Sequence, residues 1–367
     1  SKNFLAGEWD TDRIALRKPE ALEELQLTWK LGAAATALNT KDSTLTLATG
    51  ETITYDGLII ATGGNVRRLP NQPSLSGIHV LRSIDDAEHL RQELTEGARV
   101  VVIGAGFIGL EAAATATKRG ASVTVLEGLD APLIRALGPE MGGAVGEVHT
   151  RNGVTIRCGV SVASINGTTR VESISLANGE VVPADVVIVG IGVAPATSWC
   201  EGSGLTIADG IVCNAQLNAG PKNVFAAGDV LRWPNHLFTD VEETMRVEHW
   251  TNAAEQGAQA AKNLLAALNN TEQTPYEAVP FFWSDQFDAR IQFLGRVTKD
   301  AVAAVVAGNP AEGKWCAMYV ANNRLVGVLG VSMPKLVMPS RALLSTHTSV
   351  EDARAHFARV TAPPPAQ

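Results

Sequence analysis

Cysteine is scarce in this sequence. Only Cys158, Cys200, Cys213 and Cys316 occur among 367 residues, widely spaced and with no Cys-x-x-Cys pair. That spacing argues against a metal site, a disulfide framework or a redox-active dithiol built from these residues. It fits four buried, reduced thiols in a cytoplasmic protein. Long apolar runs are missing too: none reaches the ~18 residues that span a bilayer. Runs such as Val100–Ile103 and Val186–Val189 have the length of buried strands. Basic excess is also absent. The formal charge is −8 and the pI is near 5.5, which disfavours a nucleic-acid partner but leaves room for a local basic docking face. The chain opens at Ser1 without an initiator methionine, in a stretch that does not look like a signal peptide.

What is present suits a globular chain of two or three domains: 46% hydrophobic residues and a mean hydropathy of +0.08. Its most legible stretch is "RVVVIGAGFIGLEAAATATKRGASVTVLE", residues 99–127. This reads as strand, glycine turn, helix, strand and terminal acid. Gly104, Gly106 and Gly109 form G-x-G-x-x-G in the context that a dinucleotide site requires. Gly104 permits the tight turn, Gly106 lets backbone approach a pyrophosphate, and Gly109 allows close helix–strand contact. The helix start offers free N–H groups and a positive dipole end. Glu127 ends the second strand, 23 residues after Gly104. An acid there accepts hydrogen bonds from the ribose hydroxyls of NAD and repels the extra phosphate of NADP. The next arginine is Arg135, so NADH is expected over NADPH.

Two segments share one pattern: "STLTLATGETITYDGLIIATGG" (43–64) and "ESISLANGEVVPADVVIVGIGV" (172–193). Each predicts a hairpin, then an Asp, then a continuous apolar strand covered on both faces. Each therefore closes a nucleotide module, and the second module is the one the fingerprint opens. Asp56 and Asp185 lie 129 positions apart, so the first module's fingerprint is expected about 25 positions before Ser1. A doubly wound sheet places that strand centrally. The expectation is that the chain starts part-way through this module.

Downstream, "NVFAAGDV" presents Gly228-Asp229 at a strand end, where Asp229 either meets a ligand or caps a helix. "EHWTNAAEQGAQAAKNLLAAL" predicts an alanine-rich helix capped by Thr251 or Asn252. From about Pro280 the pattern predicts antiparallel strands, with Asn322-Asn323 in a hairpin and a last helix over "SVEDARAHFAR".

Together, "SKNFLAG", "ATGGNVRRLP", "GAGFIGLE", "FAAGDV", "WTNAAEQG" and "FFWSDQ" resemble the FAD-dependent NADH:ferredoxin reductases that serve Rieske dioxygenases and bacterial haem monooxygenases. The resemblance implies a glutathione-reductase-like α/β fold: two Rossmann-like dinucleotide-binding domains, for FAD and NAD, plus a C-terminal α+β domain. Its boundaries would be 1–97 and 220–279 for the two parts of the FAD domain, 98–219 for the NAD domain, and 280–367 for the last. It implies that Asp229 holds the FAD ribityl chain beside Gly228, that Thr62 and Gly63 touch FAD, and that Arg67 lies near its pyrophosphate. Lys2 and Glu111 would pair at the reactive edge of the flavin, which Trp250 and Trp283 border. Phe107, Ile108, Gly192, Glu248 and His249 complete the implied cofactor-binding set, with no metal ligand. Hydride from NADH would reach the flavin, and single electrons would leave to a two-iron two-sulfur ferredoxin, in a cytoplasmic monomer or homodimer. The rival readings are an NADH oxidase or peroxidase with a catalytic cysteine upstream of Ser1, and an apoptosis-inducing-factor-like redox protein.

Overall fold

The computed structural model describes residues 2–362. The fingerprint strand Arg99–Ile103 is the third of five parallel strands, flanked by Val186–Val189 and Ile78–His79 on one side and by Ser122–Leu126 and Thr155–Arg157 on the other. Its unbroken Val-Val-Val-Ile run follows from that central place, where both faces are covered. The helices Ile84–Glu93, Phe107–Lys118 and Ile134–Arg151 accompany this sheet, and Val162–Gly167 with Val171–Leu176 adds an antiparallel hairpin extended by Val181–Pro183. Helix Ile134–Arg151 is broken at Gly138 (φ 76°), just before Pro139, whose ring disfavours helical geometry in the preceding residue.

The earlier repeat unit forms the expected hairpin, Thr44–Leu47 against Thr52–Thr54, with Ala35–Asn39 beside it. Its apolar strand Leu58–Ile60 runs parallel to Val224–Ala226. Helix Trp250–Leu268 packs across that pair, above a core of Ile60, Phe225, Trp233, Phe238 and Ala260. An antiparallel ribbon, Gly64–Val66 on Val193–Pro195, joins the two modules.

The C-terminal region is a five-stranded antiparallel sheet in the order 281–286, 289–295, 324–331, 314–321, 302–309. Asn322 and Asn323 make the tight hairpin turn with φ of 48° and 57°. The central strand Arg324–Val331 is buried throughout. One face of the sheet, including Ile291, Phe293, Tyr319 and Leu329, shares a core with Leu110, Val145 and Val148 of the fingerprint module. The other face, through Met318, Val328 and Leu325, meets Val337, Leu344 and Phe357 of the closing helices. Ser349 caps the last of these, Val350–Thr361, by accepting from Asp352 N.

Two expectations need correction. Helix Trp250–Leu268 starts before the expected caps, with His249 at the N-cap position and no side-chain cap. Thr251 instead donates to Phe281 O at 2.5 Å, and Asn252 donates to Val247 O at 3.1 Å. Tertiary partners have taken the hydroxyl and amide that would otherwise cap. All four cysteines are free thiols, but Cys158 is only half-buried. Burial pushes Cys213 and Cys316 up to about 12, so neither is a ready thiolate.

Candidate functional site

The nucleotide turn is built by close approach. A Cβ on Gly109 would lie 2.1 Å from Gly104 O, and one on Gly104 (φ 101°) would lie 2.4 Å from Gly190 O. These two glycines let helix, strand and neighbouring turn interlock. Gly106 differs: a Cβ there would meet nothing within 4 Å, so its surface is open to a ligand. Ile108 is exposed beside it. Glu127 is held next to this turn, its carboxylate accepting from Ala105 N at 2.7 Å and Leu129 N at 3.0 Å. An acid fixed there faces the end of the fingerprint strand, where a ribose would lie.

The helix that follows carries Glu111, and Lys2 of the first helix, Lys2–Ala6, donates to its Oε1 at 2.9 Å. The pair spans 109 residues of sequence and is largely shielded, with side-chain exposures of 28% and 17%. Ser284, on strand Phe281–Gln286, donates to the same oxygen. The structure thus brings the opening segment, the fingerprint helix and the C-terminal sheet to one point. Phe107 meets Phe282 edge-on at 4.7 Å, and His249 lies 4.7 Å from the same ring. Burial and the Arg296 charge push His249 down to about 4, so its ring is neutral at pH 7. Trp250 is 61% exposed and Trp283 38% exposed, stacked on Phe281. Neither indole is a packed core residue.

The crossover residues sit on the ribbon between modules. Thr62 donates to Ala196 O at 3.0 Å, Arg67 N donates to Gly192 O at 2.9 Å, and Arg67 Nε donates to Val193 O at 3.0 Å. Gly228 N donates to Gln256 Oε1 of the long helix at 2.9 Å. Asp229 follows, and Arg246 bridges its carbonyl oxygen to the Glu248 carboxylate. Sequence reasoning passed over Arg82. Its Nη1 lies 3.8 Å from Asp229 Oδ2, and a Cβ on Gly63 would meet its Nη2 at 2.7 Å. Arg82 therefore occupies the space between Gly63 and Asp229, which sequence distance concealed. No hydrogen bond or ion pair among the described residues links Asp229, Trp250 or Trp283 directly to Lys2–Glu111.

The described residues fit part of a flavin dinucleotide. Gln256 Nε2 and His249 Nδ1 are buried without a protein partner, and buried polar atoms of that kind call for one. Arg82, between Gly63 and Asp229, is a cation able to meet a pyrophosphate, and Asp229 a carboxylate able to meet hydroxyls.

Residues 1–257 match the family described as pyridine nucleotide-disulphide oxidoreductase, and residues 281–360 match a reductase C-terminal domain. Rhodocoxin reductase of Rhodococcus erythropolis is 35% identical over 94% of this chain and 79% of its own length. The 5,5'-dehydrodivanillate O-demethylase ferredoxin reductase subunit of Sphingobium sp. is 34% identical over 96% of this chain and 85% of its own. The reductase in the covalent putidaredoxin reductase–putidaredoxin complex superposes with a TM-score of 0.89 at 29% identity, covering 98% of this chain and 88% of that one. With residues 1–257 matching the family and relatives 34–35% identical over nearly the whole chain, the chain belongs to the pyridine nucleotide-disulphide oxidoreductase family.

Proposed function

We propose that this protein is an FAD-dependent, NADH-oxidising ferredoxin reductase. Its partner in this reading is a two-iron two-sulfur ferredoxin serving a Rieske dioxygenase or haem monooxygenase. As the resemblance implies, the reading includes a cytoplasmic monomer or homodimer and the domain limits 97/98, 219/220 and 279/280. The observation that carries it is the Lys2–Glu111 pair, held between the fingerprint helix and the C-terminal strand. Cys200, Cys213 and Cys316 are buried in hydrophobic cores elsewhere. Among the residues described, these thiols form no dithiol.

Gly106 and the free amides of its helix bind the pyrophosphate of the nucleotide, and Glu127 selects an unphosphorylated ribose. Arg82, Arg67 and Gln256 would hold the flavin dinucleotide, with Asp229 accepting from its hydroxyls. When bound, FAD supplies the step from two-electron hydride chemistry to one-electron transfer. Lys2 and Glu111 present a fixed cation and carboxylate to the reacting edge, and Phe107, Phe282 and His249 wall it from water.

The flavin-loaded protein should bleach on adding NADH and should reduce cytochrome c quickly only when a two-iron two-sulfur ferredoxin is added. Ferredoxin-independent turnover that yields peroxide or water would instead identify an oxidase or peroxidase.

A further inference from the structure

Behind the Lys2–Glu111 pair runs a chain of buried polar side chains that nucleotide binding leaves unexplained. His149, fully buried on helix Ile134–Arg151, has Nε2 2.8 Å from Oε1 of Gln286, which is also fully buried. Gln286 Nε2 donates to Ser284 Oγ at 3.0 Å, and Ser284 Oγ donates to Glu111 Oε1 at 2.5 Å. Ser284 and Gln286 are two apart on strand Phe281–Gln286, so both face the fingerprint module. Replacing either with an apolar residue would suit ordinary sheet packing, yet two polar groups are buried here in series.

The direction of the chain follows from its ends. His149 Nδ1 is buried and has no partner among the described residues, so a proton there would be stranded. Burial holds the ring below its usual range, although the Gln286 hydrogen bond opposes this, and the neutral ring carries one proton. That proton therefore sits on Nε2 and is donated to Gln286 Oε1. The Gln286 nitrogen is then turned to Ser284, whose single hydroxyl proton goes to Glu111. Every donor points the same way, and Lys2 donates to the same carboxylate oxygen from the opposite element. Other ionisable groups on elements packed against the fingerprint helix are engaged elsewhere. Lys118 donates to Phe287 O, Asp285 pairs with Arg290, Arg99 pairs with Asp185, and Glu127 accepts backbone amides. Arg119 donates to the carbonyls of Ala6, Arg91 and Leu94.

We infer that Ser284, backed by Gln286 and His149, is a positioning residue that fixes the Glu111 carboxylate toward Lys2. Flavin reduction is thereby coupled to the seating of the C-terminal strand on the nucleotide module. The inference rests on the proposed placement of Lys2–Glu111 at the flavin edge.

The test is a double-mutant cycle of Ser284→Ala and Glu111→Gln, read in two ways. In urea unfolding, the two changes should be non-additive by severalfold in the unfolding equilibrium, because Ser284→Ala removes the donor of one hydrogen bond and Glu111→Gln replaces its charged acceptor with a neutral amide oxygen. In stopped-flow reduction of the flavin-loaded protein by NADH, Ser284→Ala should slow the rate by about tenfold with NADH affinity unchanged. It should also weaken the long-wavelength charge-transfer band, and should have a much smaller effect in the Glu111→Gln background. Ser284→Thr, which keeps the hydroxyl, should restore rate and band. Gln286→Met, one link back, should give a smaller loss of the same kind and keeps the test open if Ser284→Ala fails to fold. Additive effects, or a Ser284→Ala enzyme that loses stability but reduces flavin at the parent rate, overturn the relay. Unfolding coupling together with a Glu111→Gln enzyme of unaltered rate overturns the placement of the pair at the flavin, and with it the relay's role in reduction.

Discussion

The closest contact in the nucleotide turn makes a sharp prediction for Gly109→Ala. The added Cβ would sit 2.1 Å from Gly104 O, about 1.3 Å inside the 3.4 Å at which ordinary contact begins. The opposing atom is backbone, and a second contact comes from Val102 Cγ1 of the strand at 3.2 Å. The helix must therefore move away from its strand as a body. Overpacking of this kind costs ~1–3 kcal/mol, and alanine's better helix propensity offsets ~1 kcal/mol of it. A net loss of up to about 2 kcal/mol should lower the urea midpoint by no more than about 0.7 M at a slope of ~3 kcal/mol per molar. The effect on binding should be larger than the effect on stability. The same helix carries the amides that meet pyrophosphate and the Glu111 carboxylate, and a displacement of ~1 Å in a positioned group costs up to ~100-fold. Gly143→Ala supplies the matched control, since its Cβ would meet nothing within 4 Å on another helix. It should stabilise by ~0.5–1 kcal/mol and leave NADH affinity unchanged. Isothermal titration with NADH and urea unfolding on both variants decide the matter. If the two substitutions behave alike, the close-approach account of the turn is wrong.

Other consequences are equally concrete. Glu127→Arg should raise the NADPH-to-NADH ratio of kcat/KM by at least about tenfold, by removing a repulsive carboxylate and adding a phosphate partner; an unchanged ratio would refute the ribose assignment. Arg82→Ala should weaken flavin retention by about tenfold, measured as flavin released on dilution, while leaving the half-exposed surface around it folded. His249 titrates near 4 in the folded chain against about 6.5 when unfolded, so the unfolded state binds more protons between those values and stability should rise with pH across that window. His249→Phe should flatten that slope, and a slope that persists would show that another group causes it. Asp185 is held at about 2 by hydrogen bonds and charge from Arg99, despite some burial. Its contribution is complete above the unfolded value near 4 and is lost as pH falls towards 2. Solvent exposure keeps that contribution small, and Arg99→Ala should remove most of it in acid unfolding curves, leaving the bond from the backbone amide of residue 99.

How far the sequence speaks for itself depends on how local the determinant is. The parallel strand Arg99–Ile103, both repeat hairpins, the Asn322–Asn323 turn and the Ser349-capped last helix are legible, because each is specified within a few residues. The cap of helix Trp250–Leu268 was misplaced for the opposite reason. Thr251 and Asn252 have the right chemistry for a cap, but Phe281 O and Val247 O compete for it successfully. Arg82 carried no signal, since only folding brings it between Gly63 and Asp229.

The candidate site sharpens this contrast. Glu111 and Lys2 could be paired only through resemblance, whereas Ser284 joins them across 173 residues and Gln286 meets His149 across 137. Periodicity cannot report such contacts, because Ser284 and Gln286 fall at inward positions of a strand where a pattern reader expects apolar residues. Polar residues at inward positions of a sheet are costly unless every group finds a partner. The sheet that carries them is shared between two cores, one with the nucleotide module and one with the closing helices. A polar chain at that junction distinguishes one seating of the sheet from a slipped alternative: a shift by one residue turns Ser284 away from Glu111 and Gln286 away from His149, and brings the Asp285 carboxylate to the face they leave. Register of the C-terminal strand and geometry of the Lys2–Glu111 pair are therefore a single structural property. A substitution that loosens one should be visible in the other before either module unfolds.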